Sequence, residues 1–195
     1  MTPGAPVREL TADTPPLPLH DALDVFRKPA QQRLALIDIG SDPHGLVVVA
    51  EDGVHTVGYV TFHPPSEIET WGDDRSGRLI ELGAIEVAPD FRGERLAERL
   101  LETAFAGGRY DGTVVFATLY AWHYDVDRSG LGSFAYRRRL ERLYGKVGLE
   151  PMPTSDPEVR ADPANALVAR IGPEAPEGVV REFHRLRTKP RGLGG

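Results

Sequence analysis

The sequence predicts an α/β (α+β) fold, a mixed central β-sheet flanked by helices on both faces. Three features of the 195-residue chain carry that expectation. Two β-rich runs meet at Asp52-Gly53 as a hairpin; residues 79–105 pass from a strand through a sharp turn into a helix; and a strand, a helical stripe and a late strand follow from Thr113 onward. A hydrophobic content of 41% is enough for one sizeable core. The expected organisation is a flexible Pro-rich arm over 1–19, a single domain over 20–190, and a frayed tail over 191–195.

The arm contains Pro3, Pro6, Pro15, Pro16 and Pro18, a density that suppresses regular structure and suggests a mobile or extended segment. A short helix is expected over His20–Phe26. Leu34–Ile39 (LALIDI) fits either a buried strand or the tail of a helix, which pattern alone does not separate. Leu46–Phe62 supplies the hairpin. His63–Gly77, with two prolines, several acidic residues and Trp71, reads as a long excursion between strands, and loops of this length are often functional.

Leu79–Val87 alternates Leu79, Glu81, Gly83, Ile85 and Val87 with Ile80, Leu82, Ala84 and Glu86, so both faces are mostly apolar and the strand should be central. Pro89 removes a ladder donor and ends it. Leu96, Leu100, Leu101, Ala104 and Phe105 then recur at helical spacing until Gly107-Gly108. Thr113–Tyr120 is a strand expected beside Leu79–Val87. Phe134, Tyr136, Leu140, Leu143, Tyr144 and Val147 mark a helix from about Ser133 to Lys146. Ala166–Gly172 is a late strand, and Glu177–Arg187 a helix with Val180, Phe183 and Leu186 inward.

Composition narrows the function. A net charge of −6 argues against a general nucleic-acid binder, because phosphate contacts need clustered cations. The chain has no cysteine, so a thiol nucleophile, a thiolate metal site and disulfides are excluded, which suits a cytoplasmic protein. The start, MTPGAPVREL, lacks the apolar stretch of a signal peptide, and no run approaches the roughly 20 apolar residues of a membrane span. No metal is expected. The six histidines show no paired spacing, and Asp125–Gly130 (DVDRSG) opens like a calcium loop but reaches Tyr136 where the bidentate glutamate would stand. Two arginine clusters, around Arg137–Lys146 and Arg181–Arg191, read as solvated faces, with recognition of an acidic partner or a nucleotide phosphate as the sharper alternative for the first.

The turn between the central strand and its helix, Arg92-Gly93-Glu94-Arg95-Leu96-Ala97, would aim unpaired backbone N–H groups and the positive end of a helix dipole at one point, which suits a pyrophosphate. The arrangement resembles the acetyl-CoA-binding core of the GCN5-related N-acetyltransferases (GNAT superfamily). Arg92, Gly93, Leu96 and Ala97 fit that loop, whereas Arg95 stands where the superfamily usually has its central glycine. The resemblance narrows to the acetoin-utilisation acetyltransferases of bacteria. It is carried by FRKP at Phe26–Pro29, VGYVTF at Val57–Phe62, LIELGAIEVAPDFRG at Leu79–Gly93, the segment around Trp122, His123 and Asp125, DPANALVARIG at Asp162–Gly172, and REFHRLR near the end.

What the resemblance implies is a GNAT fold, acetyl-CoA as cosubstrate, and acetylation of a lysine in acetyl-CoA synthetase that switches the synthetase off. Other readings remain open: a GNAT acetyltransferase for a small amine or another protein, or a non-catalytic CoA-binding regulator that inhibits by occlusion. Assembly is also open, a homodimer being one option.

Acetyl transfer to lysine needs a neutral amine, and with a free pKa near 10.4 only about one lysine in a few thousand is neutral at pH 7, so a positioned base contributes strongly. Glu81, eleven positions before Arg92, matches the place of the catalytic glutamate in histone-type members of the superfamily; an ordinary glutamate paired with Arg78 would look the same. Glu86 is a weaker base candidate whose backbone is expected to pair with the pantetheine arm. His123 could serve as acid or base, or order its loop. Tyr136 and Tyr144 both qualify as the tyrosine that protonates the leaving thiolate, and both fit plain core packing. A backbone N–H within Ile85–Val87 is expected to polarise the thioester carbonyl, where adjacent strands splay.

Overall fold

The computed structural model describes residues 4–93 and 95–189. The expected frayed tail over 191–195 and Glu94 of the phosphate turn lie outside the described residues. Seven strands form a mixed sheet in the order β1-β2-β3-β4-β5-β7-β6, with β1 Val7–Glu9, β2 Leu46–Glu51, β3 Thr56–His63, β4 Leu79–Val87, β5 Val114–Leu119, β6 Glu150–Met152 and β7 Ala166–Ile171. The chain divides into two compact units, residues 1–63 with 82–107 and residues 64–81 with 108–195, so β4 contributes to both.

In the first unit β1, β2 and β3 are antiparallel neighbours, with Val49 opposite Tyr59 and Val48 opposite Val60. The hairpin turns where Asp52-Gly53 predicts: Asp52 Oδ1 accepts the N–H groups of Val54 and His55, and Gly53 takes a positive φ of 95°. One buried cluster joins Val47, Val49, Tyr59, Ala84 and Ala88 to Leu36 of helix α1, Pro29–Ser41. Helix α2, Leu96–Phe105, buries Leu96, Leu100, Leu101 and Ala104 on the stripe its sequence shows. A Cβ on Gly58 would lie 3.4 Å from the Leu100 side chain, so this strand glycine admits α2 closely.

One open choice is decided and one local expectation is revised. Leu34–Ile39 belongs to α1, because Pro29 starts a helix at its first turn and the run that follows is mostly good helix formers. His20–Phe26 is a turn-rich segment, not a helix. Its backbone is bound outward, His20 N–H to the Thr56 carbonyl and Val25 N–H to the Glu86 carboxylate, and a segment this short cannot nucleate a helix against such contacts. The proline-dense start holds β1 and buries Leu10 and Leu19.

In the second unit β4 runs parallel to β5, Leu79 opposite Val114 and Glu81 opposite Phe116, while β7 is antiparallel to both β5 and β6. Helix α6, Glu177–Arg187, sends Val179, in place of the expected Val180, together with Phe183 and Leu186 into a core with Leu79, Val114, Phe116, Leu167 and Ala169. Trp71, 3% exposed, belongs to that core, stacking on Phe116 at 4.3 Å and Phe183 at 5.7 Å. The excursion before β4 is therefore nailed to the unit by its one tryptophan. Arg185 adds a bond to the Asp73 carbonyl, Lys189 an ion pair to Asp73, and Glu182 accepts the Arg75 N–H at 3.0 Å. Helix α4, Ser133–Gly145, lies against β6 and β7 and ends at its glycine.

Candidate active site

The turn after β4 has the geometry of an anion cradle. Gly93 takes φ 99° with nothing within 4 Å of where a Cβ would be, and Arg95 takes φ 55°, ψ 22°, the left-handed conformation that favours glycine. Arg95 thus occupies a glycine's backbone state without being glycine, and its carbonyl accepts the Arg99 N–H at 2.9 Å as α2 begins. The amides of Leu96 and Ala97 open a ten-residue helix, where no carbonyl one turn earlier can engage them and the dipole is positive. The Arg95 guanidinium does not enter the turn's mouth as a competing ligand. It forms a fork on Glu98, Nε to Oε2 at 2.8 Å and Nη2 to Oε1 at 2.7 Å. Arg92 staples the turn to the strand, its Nε donating to the Val87 carbonyl at 3.1 Å. These groups fit a pyrophosphate.

On the strand itself Ile85 is half-buried, and Glu86 and Val87 are buried. The Glu86 carboxylate is taken up locally: Oε1 accepts the Val25 N–H at 3.0 Å and Oε2 the Tyr59 hydroxyl at 2.7 Å. Burial, reinforced by the Glu86 charge, holds the Tyr59 hydroxyl far above the usual phenol range. Glu86 therefore ties the segment leading into the FRKP stretch to β4.

One residue escaped the sequence reading here. His63, ending β3, places Nε2 2.3 Å from where a Cβ on Gly83 would be. A glycine inside a strand often marks such a close approach, which is the signal that could have drawn attention to it.

In the second unit Glu81 is partly buried, and burial, with a smaller push from the Glu69 carboxylate, raises its carboxyl to about 7. Glu69 reaches this position because Thr70–Asp73 forms a 3-10 turn whose Trp71 is buried.

Past the end of β5, Tyr120 stacks on Trp122 with ring centres 4.2 Å apart and planes 12° from parallel, and His123 meets Trp122 edge-on at 5.9 Å. Trp122 is 62% exposed. Burial, together with Asp156, Glu158 and Glu69, raises the Tyr120 hydroxyl. The turn carrying these rings is clamped by the Pro-Ala-Asn segment. Asn165 Oδ1 accepts the Ala121 N–H at 2.7 Å, its Nδ2 donates to the Glu158 carbonyl at 3.1 Å, and the Tyr124 hydroxyl donates to the Ala164 carbonyl at 2.8 Å. Arg137 completes the clamp on the Pro163 carbonyl at 2.8 Å. Two distant sequence signatures are thus one structural unit, and Asn165, 6% exposed, is its buried keystone.

Tyr136 stacks on Tyr124 at 5.1 Å and is half-buried, whereas Tyr144 is 4% exposed, with burial raising its hydroxyl. Asp125 is paired with Arg128 at 2.9 Å. Among the described residues no group of three or more His, Cys, Asp or Glu side chains could hold a metal ion, and no helix is long and apolar enough to cross a membrane.

A central strand that ends in a left-handed turn opening onto a helix N-terminus is the arrangement expected of an acetyl-CoA-dependent acetyltransferase. In agreement, the model of the acetyltransferase (GNAT) family matches residues 7–113. The chain is 39% identical to the acetoin utilization protein AcuA of Bacillus subtilis over 168 residues, covering 86% of this chain and 80% of that one. It is 38% identical over the same shares to AcuA of Bacillus licheniformis. A crystal structure of an acetoin utilization protein from Exiguobacterium sibiricum superposes with a TM-score of 0.90 at 37% identity, over 94% of this chain and 89% of that one. The chain belongs to the AcuA family of GNAT acetyltransferases and is an acetyl-CoA-dependent N-acetyltransferase.

Proposed function

We propose that this enzyme acetylates a lysine of acetyl-CoA synthetase and thereby inactivates it. The substrate assignment rests on the family resemblance. The observation that carries the chemistry is Glu81, a carboxyl raised to about 7 by burial and by Glu69. A base that titrates near the working pH is ionised often enough to act and basic enough to take a proton from an ammonium group.

In this reading the amides around Arg95–Ala97 hold the pyrophosphate, with Gly93 leaving room for it, and the backbone of Ile85–Val87 pairs with the pantetheine arm and polarises the carbonyl. Acetyl-CoA supplies the activated acetyl group. Glu81 takes the ammonium proton; the neutral amine attacks and the C–N bond forms as the C–S bond breaks, the thiolate receives a proton from Tyr136 or Tyr144, and the second nitrogen proton passes through solvent to restore that tyrosine. Direct transfer follows from composition, since no cysteine is present to carry the acetyl group. His123 completes the wall of the acceptor side.

The test is acetylation of purified acetyl-CoA synthetase, followed by mass spectrometry and by synthetase activity. Wild type with acetyl-CoA should modify one lysine and inactivate the synthetase; inhibition that persists without acetyl-CoA, or in Glu81→Gln, sinks the catalytic account. Tyr136→Phe and Tyr144→Phe, compared side by side, identify the acid as the variant whose kcat falls. Ready acetylation of polyamines with an untouched synthetase would instead support a small-amine acceptor.

A further inference from the structure

Exposed apolar side chains are ordinary singly and point to an interaction site when several stand together with polar groups around them. Ile68 is 94% exposed and Trp122 is 62% exposed. Neither belongs to a slack segment. Trp122 lies flat on Tyr120, on a turn fixed by the 2.7 Å bond from the Ala121 N–H to Asn165. Ile68 precedes Glu69 and the turn anchored by buried Trp71. Trp71, three residues after Ile68, stacks at 4.3 Å on Phe116 of β5, the strand that leads directly into Tyr120 and Trp122, so the two apolar groups flank one strand; Glu69 acts electrostatically on both Glu81 and the Tyr120 hydroxyl. The charges raising the Tyr120 hydroxyl are all carboxylates, Asp156, Glu158 and Glu69, and Glu158 Oε2 lies 3.4 Å from it.

We propose that Trp122 and Ile68, with the carboxylates of Glu69, Asp156 and Glu158 around Tyr120, form the docking surface for a cationic, lysine-bearing segment of the acceptor protein. The proposal deepens the lysine reading of the same site and rests on it. An indole face backed by carboxylates attracts ammonium and guanidinium groups and repels acidic segments and phosphates. The exposed isoleucine favours a polypeptide acceptor, because a small amine already bound by its nitrogen has too little further apolar surface to cover it. Rigid mounting lowers the ordering cost of binding, as expected of anchor residues. A second copy of this chain, with its net charge of −6, is a poor occupant of an acidic patch.

The experiment measures steady-state kinetics with acetyl-CoA synthetase and with an array of lysine-centred peptides whose flanks are varied between basic, acidic, apolar and polar. Wild type should favour peptides with basic and apolar flanks. Trp122→Ala, Ile68→Ser and Glu158→Lys should each lower kcat/KM for the synthetase about tenfold, mainly through KM, and erase the flank preference. Val54→Ala, an equally exposed hydrophobic on the β2–β3 hairpin, serves as the control. All these positions are exposed, and unchanged melting temperatures confirm that the variants fold. Sensitivity equal to that of Val54→Ala, a preference for acidic flanks, or equal losses with spermidine as acceptor would overturn the proposal. If wild type ignores the synthetase but the peptide preference appears and is lost in the variants, the surface stands and only the synthetase assignment falls.

Discussion

Replacing Glu81 by glutamine removes one oxygen's charge and nothing of the shape, and its consequences can be worked out from the carboxyl's surroundings. The folded carboxyl titrates at about 7 against an ordinary 4.5, with burial the larger cause and Glu69 the smaller. Below 4.5 it is protonated in both folded and unfolded chains and costs nothing. Between 4.5 and 7 the unfolded chain ionises while the folded one holds its proton, so stability falls as pH rises across that window. Above 7 the folded protein carries the full cost of an ionised, poorly hydrated carboxylate, on the order of 3 kcal/mol. Glu81→Gln lacks this cost. Its melting temperature should match wild type near pH 4 and exceed it by several degrees at pH 8. Activity should move the other way, falling on the order of 10² to 10⁴-fold at pH 8 with the loss of the base. Initial rates followed by thiol release give a sharper signature. Wild type needs an ionised Glu81 beside an ammonium that it can deprotonate, so log kcat/KM should climb with slope about 1 below pH 7 and level off above it, well short of the free lysine value near 10.4. The variant should show slope about 1 throughout. A break near pH 7 that survives in Glu81→Gln, or a rate within about threefold of wild type, would refute Glu81 as base; a melting difference independent of pH would refute the burial argument.

Other expectations follow from single contacts. Arg95→Val places a β-branched residue at φ 55° and should lower the melting temperature by about 2–4 °C and weaken acetyl-CoA binding, whereas Arg95→Gly should bind it at least as tightly; calorimetry and thermal melts check both. Asn165→Ala strips the Ala121 amide and the Glu158 carbonyl of their partner and should cost about 2–3 kcal/mol in urea unfolding, with a loss of kcat/KM as the Trp122 turn shifts. Trp71→Ala empties the stack with Phe116 and Phe183 and should cost about 3–5 kcal/mol, with faster proteolytic cleavage in residues 64–78 as its second readout. Tyr59→Phe leaves the buried Glu86 without its 2.7 Å donor and should destabilise by about 1–3 kcal/mol, read by denaturant melts.

Local chemistry made much of this protein legible in the amino-acid order. The Asp52-Gly53 hairpin, the α2 stripe of Leu96, Leu100, Leu101 and Ala104, and the inward Phe183 and Leu186 of α6 each follow from periodicity and turn residues, which are short-range properties. The sharp turn before α2 is legible too, because strand, proline and helix around it dictate where the chain reverses; that Arg95 takes the left-handed state of the usual glycine there is a finding of the structure. Tertiary structure decided the rest. Whether Leu34–Ile39 would be strand or helix, and whether the proline-dense start would yield a strand, depended on partners far along the chain, β2 for Val7–Glu9 and the cluster around Tyr59 for Leu36. The clamp of Asn165 on Ala121 spans 44 residues, and the placing of Glu69 to act on Glu81 depends on Trp71 finding Phe183 more than a hundred residues later. Sequence names the carboxylate at Glu81; only burial and a neighbouring charge, both products of the fold, bring it to about 7 and give it a base's strength near neutral pH.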